Sequence, residues 1–332
     1  MQMKTELLKD FVGGVAEQKL GVRGIVVRQH GEILDQHDIV EPVERIQLFS
    51  ASKTWTSMGA GIAMGEGLFQ KTDRLIDLLA DEIDFEVPAG YEKLTVEHLL
   101  TMSTGHDECP IFKAQRERMA KMPPEERPVP GNTRRGGSMS DLWFDAFMKT
   151  PLTYDPDERH FAYNNGTTYM LSLIVQKTSG QPLSEYLKPR VFAPLGLTDI
   201  EWDCDAKGRT LGAIGLHLTT EELSRGGQLL LNRGAWNGKQ LIPAEYVDEM
   251  TTMRVPNDFG EGDPEARQGY GYQMWMCSYP KAYRMDGMFA QFSIGLPTLN
   301  AVVAITSHEP ERGCDILRLV WDTIAPKLEL TK

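Results

Sequence analysis

Cysteine is scarce in this chain and follows no pairing pattern. The 332 residues contain four cysteines without C-x-x-C spacing, namely Cys109, Cys204, Cys277 and Cys314. A disulfide-stapled secreted domain or a cysteine-based zinc site needs cysteines at closer, regular spacing, so both classes are excluded. We therefore expect free thiols in a reducing cytoplasm.

Segments that direct a protein to a membrane are lacking as well. The first residues, MQMKTELLKDFVGG, contain no apolar core of a signal peptide. No apolar run approaches the roughly 20 residues that a membrane-spanning helix requires. The sequence therefore predicts a cytoplasmic protein with no membrane partner.

Positive charge is also in deficit. The chain has 35 lysines and arginines against 47 aspartates and glutamates, which gives a net charge of −12. Because phosphate binding requires a basic patch, no nucleic-acid partner is expected. An apolar content of 41% and a charged content of 25% are typical of a globular protein. A chain of this length predicts about two domains.

Strand-like patterns lie at both ends of the chain, and helix-like patterns lie between them. The spacing of apolar residues predicts a helix over 4–19 and then two strands joined by a turn at His30-Gly31-Glu32. Later helices are predicted over 51–66, 95–103, 140–149, 166–179, 183–193 and 219–232. From Gly269 onward, including GYGYQMWMC, antiparallel strands are predicted, with a closing helix over 312–326. This order indicates an α+β fold, an antiparallel sheet flanked by helices with an inserted, mainly helical domain.

The predicted domain boundaries follow from this order. Residues 1–50 and 205–332 are expected to form the sheet domain, and residues 51–204 the helical domain, with the active site at their interface. Residues 108–137 include MPPEERPVPGNTRRGG, which is rich in proline, glycine and charge. We expect them to form an exposed insertion loop.

The stretch LFSASKTWTS combines Ser50 and Lys53 at the predicted start of an apolar helix. A serine hydroxyl is a weak nucleophile at neutral pH unless a base lies beside it. Residues three apart on a helix are neighbours, and burial lowers the pKa of a lysine, so a neutral amine could accept the hydroxyl proton. Unpaired N–H groups at a helix N-terminus also favour an oxyanion.

The S-x-x-K spacing alone has a second interpretation. Ser50 could be a helix N-cap and Lys53 a surface side chain. The same spacing recurs at Ser278-Tyr279-Pro280-Lys281, but that copy lies at a proline turn rather than before an apolar helix. Two further motifs favour the catalytic interpretation. Tyr163-Asn164-Asn165 precedes a predicted helix, and Gly287 lies between two predicted strands.

Together these three motifs resemble those of the serine β-lactamase-like hydrolases, which include class C β-lactamases, D-alanyl-D-alanine carboxypeptidases, family VIII esterases and CubicO-type proteins. Segments such as EKLTVEHLLTMSTGH and PLSEYLKPRVFAPLGLTD also resemble family segments, in family order. The resemblance covers nearly the whole chain. It implies a β-lactamase/transpeptidase-like fold and catalysis through an acyl-enzyme.

The resemblance also implies individual roles. Ser50 would be the acylated nucleophile, and Lys53 would share its proton. Tyr163 would be a general base toward Ser50 and then a general acid toward the leaving group, and it would titrate with Lys53 as a coupled pair. Asn165 would bind the lysine or the substrate. The backbone N–H groups of Ser50 and Met288 would form the oxyanion hole, next to Gly287 in the substrate-binding strand.

One motif departs from the family. The third motif of β-lactamases and penicillin-binding proteins is K-T-G, and here it is Met285-Asp286-Gly287. Strand alternation places Met285 toward the substrate and both of its neighbours away from it. A substrate carboxylate would lose a charge-assisted bond of roughly 1.5–3 kcal/mol. We therefore predict an esterase or amidase for a small ester or amide substrate, with a β-lactamase or D-Ala-D-Ala carboxypeptidase as the alternative.

The sequence favours a metal site and a non-catalytic scaffold less than a serine hydrolase. His106-Asp107-Glu108-Cys109 offers four metal-binding side chains, but adjacent residues rarely converge on one ion, so we expect no metal and no cofactor. A non-catalytic scaffold on the same fold is a further alternative, although it has no use for a buried lysine. The sequence does not determine the oligomeric state, and it allows a homo-oligomer.

Overall fold

The structure is a computed structural model that describes residues 7–126, 140–257 and 262–328. Predictions for residues 4–6 and 127–137 lie outside these ranges. The α-helices are α1 (Lys9–Gln18), α2 (Ser52–Gly65), α3 (Leu75–Leu78), α4 (Val96–Leu100), α5 (Pro110–Lys121), α6 (Trp143–Lys149), α7 (Asn165–Ser179), α8 (Leu183–Leu187), α9 (Thr220–Leu231), α10 (Ala244–Met250) and α11 (Gly313–Thr323).

The strands are mostly short at the middle of the chain and long at its two ends. They are β1 (Val22–Gln29), β2 (Glu32–Asp38), β3 (Ile46–Gln47), β4 (His217–Leu218), β5 (Ala235–Trp236), β6 (Lys239–Gln240), β7 (Trp275–Met276), β8 (Tyr283–Gly287), β9 (Gln291–Leu296) and β10 (Ala301–Ser307). The predicted strand–helix–strand order and the α+β class are therefore confirmed.

The chain divides into two compact units, of which the first contains the main sheet. This unit comprises residues 1–51, 195–200 and 217–332. Its six strands run in the order β2-β1-β10-β9-β8-β7, and every pair is antiparallel. Helix α9 packs on one face, while α1 and α11 share a core with the other. Because both faces are covered, all seven residues of the central strand β10 are buried.

Helix α9 begins with a capping box at Thr219, where the sequence predicts the start of a helix. The Thr219 hydroxyl accepts a hydrogen bond from the Glu222 N–H at 3.2 Å, and the Glu222 carboxylate accepts one from the Thr219 N–H at 3.0 Å. The Arg45 guanidinium donates to the same carboxylate at 2.9 Å. These bonds satisfy helix-end N–H groups and fix where α9 starts on the sheet.

The second unit, residues 52–194 and 201–216, is mainly helical. Helices α2 and α7 pack against each other, and α4, α6 and α8 contact α7. Twelve of the fourteen residues of α2 are buried, which its small residues allow. A Cβ at Gly59 would lie 2.8 Å from the Leu183 side chain, so a larger residue there would push α8 away.

The observed division differs from the predicted one between residues 195 and 216. Arg45 donates to the carbonyl oxygens of Thr198 and Asp199, both at 2.8 Å, which holds 195–200 in the sheet unit. The Thr56 hydroxyl donates to the Gly212 carbonyl at 2.9 Å, which holds 201–216 in the helical unit. The predicted boundary at 204/205 is therefore wrong.

Two local predictions also need correction. The predicted loop over 108–137 is wrong for Pro110–Lys121, which form helix α5. Proline is favoured at the first position of a helix, and the residues that follow include many strong helix formers. The predicted strand GYGYQMWMC is reduced to Trp275–Met276, because Gln273 adopts a left-handed conformation with φ 57°.

Among the described residues, no helix combines the length and the apolar character needed to cross a membrane.

Removing the α9 cap tests how strongly this helix start is specified. Replacing Thr219 with alanine should lower the free energy of unfolding by about 1 kcal/mol, because the Glu222 N–H loses its side-chain acceptor. Thr252→Ala is the matched control, since this exposed threonine only donates back to the Asp248 carbonyl in α10. Urea denaturation should show a change below about 0.5 kcal/mol for the control. Equal losses in both variants would contradict the capping assignment.

Candidate active site

Ser50 lies in a short 3-10 turn, Phe49–Ala51, which runs directly into helix α2. The residue before it, Phe49, has a positive φ of 48°, an uncommon conformation for a bulky side chain. Ser50 is partly exposed, whereas residues 51–63 are buried. The chain therefore presents this serine at the accessible end of a buried helix.

Lys53 lies one helical turn after Ser50 and is almost completely buried, with 1% of its surface exposed. Its Nζ donates to the Asn165 side-chain oxygen at 2.7 Å and to the Ala213 carbonyl at 2.8 Å. Burial lowers the pKa of Lys53 to about 7, against a smaller opposing interaction with Cys109. Lys53 is therefore not the exposed side chain of the alternative interpretation.

The two acceptors of Lys53 determine what its amine can do. A neutral primary amine has two hydrogens and one lone pair. When both hydrogens are donated to Asn165 and Ala213, the lone pair is the part of the group that can receive a proton. With a pKa near 7, a large fraction of the amine is neutral at physiological pH.

The Tyr163-Asn164-Asn165 motif forms the start of helix α7, as predicted. The Asn164 side chain caps the helix by accepting a hydrogen bond from the Gly166 N–H at 2.7 Å. This cap fixes Asn165 as the first helical residue, from which it binds Lys53. The Tyr163 ring centroid lies 5.1 Å from Lys53 Nζ, and the tyrosine is partly exposed. The structure thus brings Lys53, Tyr163 and Asn165 together.

Gly287, the third-motif glycine, lies against the turn that carries Ser50. A Cβ at Gly287 would be 2.1 Å from the Leu48 carbonyl oxygen and 3.1 Å from the Ala51 nitrogen. Only glycine allows the two backbones to approach so closely. The Phe49 and Phe289 rings meet edge to face, with centroids 5.1 Å apart. The backbone of Ser50 and the backbone that follows Gly287 are therefore neighbours, as the predicted oxyanion hole requires.

Met285 and Met288 differ in exposure. The Met285 side chain is buried, with 1% exposed, whereas Met288 is 58% exposed. Met285 pairs with Ser293 in the β8–β9 ladder, and Ser293 lies close to Gly227 of α9. Met285 therefore belongs to the α9 face of the sheet.

Arg284 and Asp286 lie on the opposite face and bind each other. Arg284 Nε donates to Asp286 at 2.8 Å, and Nη1 donates to the Met276 carbonyl at 2.9 Å. Burial opposes the charge of Arg284, but Asp286 and Cys277 together outweigh it, so the pKa of the guanidinium is raised. Arg284 is therefore committed to structural bonds and does not replace the lysine of K-T-G.

The alternative motifs have structural partners of their own. His106 is buried between the Thr104 hydroxyl, 2.9 Å from Nδ1, and the Tyr91 hydroxyl, 3.1 Å from Nε2. Burial lowers the pKa of His106 to about 4, which keeps it neutral. Glu108 accepts a bond from Arg116 at 2.6 Å. These two side chains of the His106–Cys109 run thus have separate structural partners.

The second S-x-x-K copy is also structural. The Ser278 hydroxyl donates to the Glu265 carboxylate, and Lys281 lies in a turn with φ 60°. Lys177-Thr178-Ser179-Gly180, the nearest literal match to K-T-G in the sequence, ends helix α7, with Gly180 left-handed at φ 74°. Neither motif begins a helix.

Sequence reasoning missed the Ala213 carbonyl, because a main-chain acceptor leaves no side-chain signal. The neighbouring Gly212 gives an indirect signal in the sequence. It has φ 70°, and a Cβ there would lie 2.7 Å from the Ser172 side chain. A glycine in this conformation marks a tight backbone approach, here the one that brings residue 213 to Lys53.

Comparison with known proteins gives a family match and a short sequence match. A family model described as Beta-lactamase matches residues 8–322. A protein of Escherichia coli (strain K12), provisionally named a D-alanyl-D-alanine carboxypeptidase, is 37% identical over 64 residues. This match covers 19% of the present chain and only 14% of that protein's length.

Solved structures resemble the chain over most of its length. One from Bacillus anthracis, provisionally named a 6-aminohexanoate-dimer hydrolase, has a TM-score of 0.74 at 19% identity and covers 93% of this chain and 80% of that one. A penicillin-binding protein from Bacillus halodurans has a TM-score of 0.68 at 18% identity, covering 93% and 98%. EstCE1, described as a hydrolase with promiscuous acyltransferase activity, has a TM-score of 0.71 at 15% identity, covering 96% and 98%.

At such low identity these likenesses concern the fold, and they confirm the predicted β-lactamase/transpeptidase-like architecture. The family match extends over nearly all of the chain. The chain belongs to the Beta-lactamase family.

Proposed function

We propose that the protein is a serine hydrolase that forms an acyl-enzyme on Ser50 and acts as an esterase or amidase on a small, neutral substrate. One observation carries the proposal. The Lys53 amine is fully buried, is held by Asn165 and Ala213, has a pKa near 7, and follows Ser50 by one helical turn. Such a group is suited to accept a proton from a neighbouring hydroxyl.

In the first step, the Ser50 hydroxyl loses its proton to the Lys53–Tyr163 pair while its oxygen bonds to the substrate carbonyl carbon. The base is assigned to the pair rather than to either residue, because the Tyr163 ring centroid lies 5.1 Å from the Lys53 amine. Tyr163 then protonates the leaving alcohol or amine as its bond to the acyl carbon breaks. Water then loses a proton to the pair as its oxygen bonds to the acyl carbon, the bond from that carbon to the Ser50 oxygen breaks, and the pair returns the proton to Ser50 as the acid leaves.

The negative charge on the carbonyl oxygen is assigned to the N–H groups of Ser50 and Met288. The contact of Gly287 with the Leu48–Ala51 backbone supports this pairing, because both N–H groups then belong to adjoining turns. Preorganised donors of this kind are worth about 10²–10³ in rate each.

The neutral substrate class is supported by the third motif. Met285 replaces the cation of K-T-G, and the neighbouring Arg284 is held by Asp286 and the Met276 carbonyl. A β-lactamase or D-Ala-D-Ala carboxypeptidase is the second candidate, supported by the names of the B. halodurans and E. coli proteins. A non-catalytic scaffold is less favoured, because a buried lysine destabilises a fold that makes no use of it.

Covalent labelling tests the nucleophile. A fluorophosphonate probe should label the wild-type protein at Ser50, and Ser50→Ala should lose both labelling and ester hydrolysis, because its hydroxyl is the attacking group. Ser278→Ala, in the second S-x-x-K copy, should retain both. Peptide mapping by mass spectrometry identifies the labelled residue. Full labelling of the Ser50→Ala variant would overturn the assignment.

The Lys53 pKa predicts a coupled effect on activity and stability. The kcat/KM of the wild type should fall as the pH drops below about 7, because the amine becomes protonated. Since its folded pKa lies below the ordinary lysine value of 10.5, the unfolded chain binds more protons between these two values. The contribution of Lys53 to the free energy of unfolding therefore rises with pH across this window.

Lys53→Met removes this contribution together with the activity. The difference in unfolding free energy, variant minus wild type, should be largest below pH 7 and should shrink toward pH 10. Chemical denaturation at several pH values measures it. Lys207→Met, which alters an exposed lysine, should give a difference that is flat with pH. A flat difference for Lys53→Met would mean that Lys53 is charged in the folded protein.

Substrate choice tests the role of Met285. The wild type should hydrolyse p-nitrophenyl butyrate with a higher kcat/KM than nitrocefin, because Met285 stands at the position where K-T-G has its cation. Met285→Lys should raise kcat/KM for nitrocefin by up to about tenfold, the equivalent of 1.4 kcal/mol. Met285→Leu is the neutral control and should bring no gain, and melting curves show whether each variant folds. A wild type that prefers nitrocefin would remove the basis for the esterase proposal.

A further inference from the structure

The turn after Gly287 has a conformation that needs external support. Phe289 and Ala290 have φ values of 63° and 62°, in the left-handed region that non-glycine residues rarely occupy. Gly287 pairs with Gln291 across this turn, at the end of the β8–β9 ladder. Met288, whose N–H is assigned to the oxyanion hole, lies inside the turn. Its orientation therefore depends on what holds these residues.

Gln291 holds the turn from within the sheet, where it is completely buried. One N–H of its Nε2 donates to the Ser307 carbonyl at 2.6 Å, and the other is shared between the carbonyl oxygens of Met288 and Phe289, both at 3.2 Å. Its Oε1 accepts a hydrogen bond from the Ser307 N–H at 3.1 Å. One carboxamide thus joins the turn to strand β10.

The carboxamide takes the place of a missing backbone pair. The β9–β10 ladder ends at Phe292 and Ile305, since the left-handed residues carry the main chain away from β10. A primary amide has the same donor and acceptor as a peptide group, and Gln291 uses both on Ser307. The Gln291 side chain therefore continues the ladder beyond its last main-chain pair. The amide hydrogen that does not bond Ser307 is donated to the turn.

We propose that Gln291 is the positioning residue of the oxyanion hole, which it fixes by anchoring the Met288 and Phe289 carbonyl groups. The ladder holds the Met288 N–H from the Gly287 side, and Gln291 holds it from the Phe289 side. This inference rests on the proposed acyl-enzyme function. Gln291 acts through the backbone and does not itself contact the reacting atoms.

Gln291→Met tests the proposal, because it keeps the length of the side chain and removes its hydrogen bonds. The kcat for p-nitrophenyl butyrate should fall by about 10–100-fold, somewhat less than the loss of a whole oxyanion donor, with KM within about twofold. With a ¹³C-labelled ester carbonyl, infrared difference spectra should show the acyl-enzyme stretch at higher frequency, because the carbonyl is less strongly hydrogen-bonded.

Gln29→Met is the matched control. Gln29 is also buried in the sheet unit and donates its amide to a main-chain carbonyl, that of Leu299, at 3.1 Å. It should lose stability without a change in the carbonyl stretch. An unshifted stretch in Gln291→Met, or an equal loss of kcat in the two variants, would overturn the positioning role.

Gln291→Glu covers the case in which Gln291→Met does not fold. A protonated glutamic acid retains one donor and an ionised one has none, so kcat relative to wild type should fall as the pH rises. A ratio near one at every pH would also overturn the inference. Labelling of Ser50 distinguishes a failure of the proposed function from a failure of this inference. If fluorophosphonate fails to label wild-type Ser50, that function and this inference fail together, whereas labelled Ser50 with an unaffected Gln291 variant removes only the inference.

Discussion

The burial of a single amine is the constraint on which the rest of the site depends. Lys53 has 1% of its surface exposed within a helix whose other buried residues are mostly small or apolar. An amine in such surroundings is destabilising unless its hydrogens are satisfied. Asn165 and Ala213 satisfy them from two separate segments, the start of α7 and the loop before β4. One side chain therefore constrains the positions of both segments. The motifs that contain Lys53 and Asn165 reflect this constraint in the sequence.

The chemical nature of the two acceptors matters as much as their position. A carboxylate beside Lys53 would stabilise the ammonium and raise its pKa. The Asn165 amide oxygen and the Ala213 carbonyl are neutral, so they accept hydrogen bonds without cancelling the effect of burial. The pKa of Lys53 consequently stays near 7. The site holds an amine that is ordered yet still able to exchange a proton, which a salt bridge would not provide.

Much of the site could be predicted because each part leaves a residue type at a fixed spacing. Ser50, Lys53 and Asn165 are proposed for their side chains, and the lysine and asparagine side chains are hydrogen-bonded as expected. The Ala213 carbonyl could not be predicted, since any residue supplies a carbonyl and only the fold decides where it points. The helix over 110–121 was missed for a different reason. Its sequence has helix formers and an initial proline, but its charge and neighbouring loop residues masked them.

Gln291 shows why the remaining details exceed sequence reasoning. In the pattern of β9, Gln291 and Ser293 are the polar residues among apolar ones and glycine, and a glutamine would ordinarily face solvent. Gln291 is buried where the ladder with β10 ends, at Phe292, and its amide there bonds the Ser307 N–H and carbonyl in place of a main-chain partner from β9. That ending follows in turn from the left-handed Phe289 and Ala290. The hydrogen bonds of the Gln291 side chain therefore depend on where the pairing of β9 with β10 ends. The pattern of residue types does not show where that pairing ends.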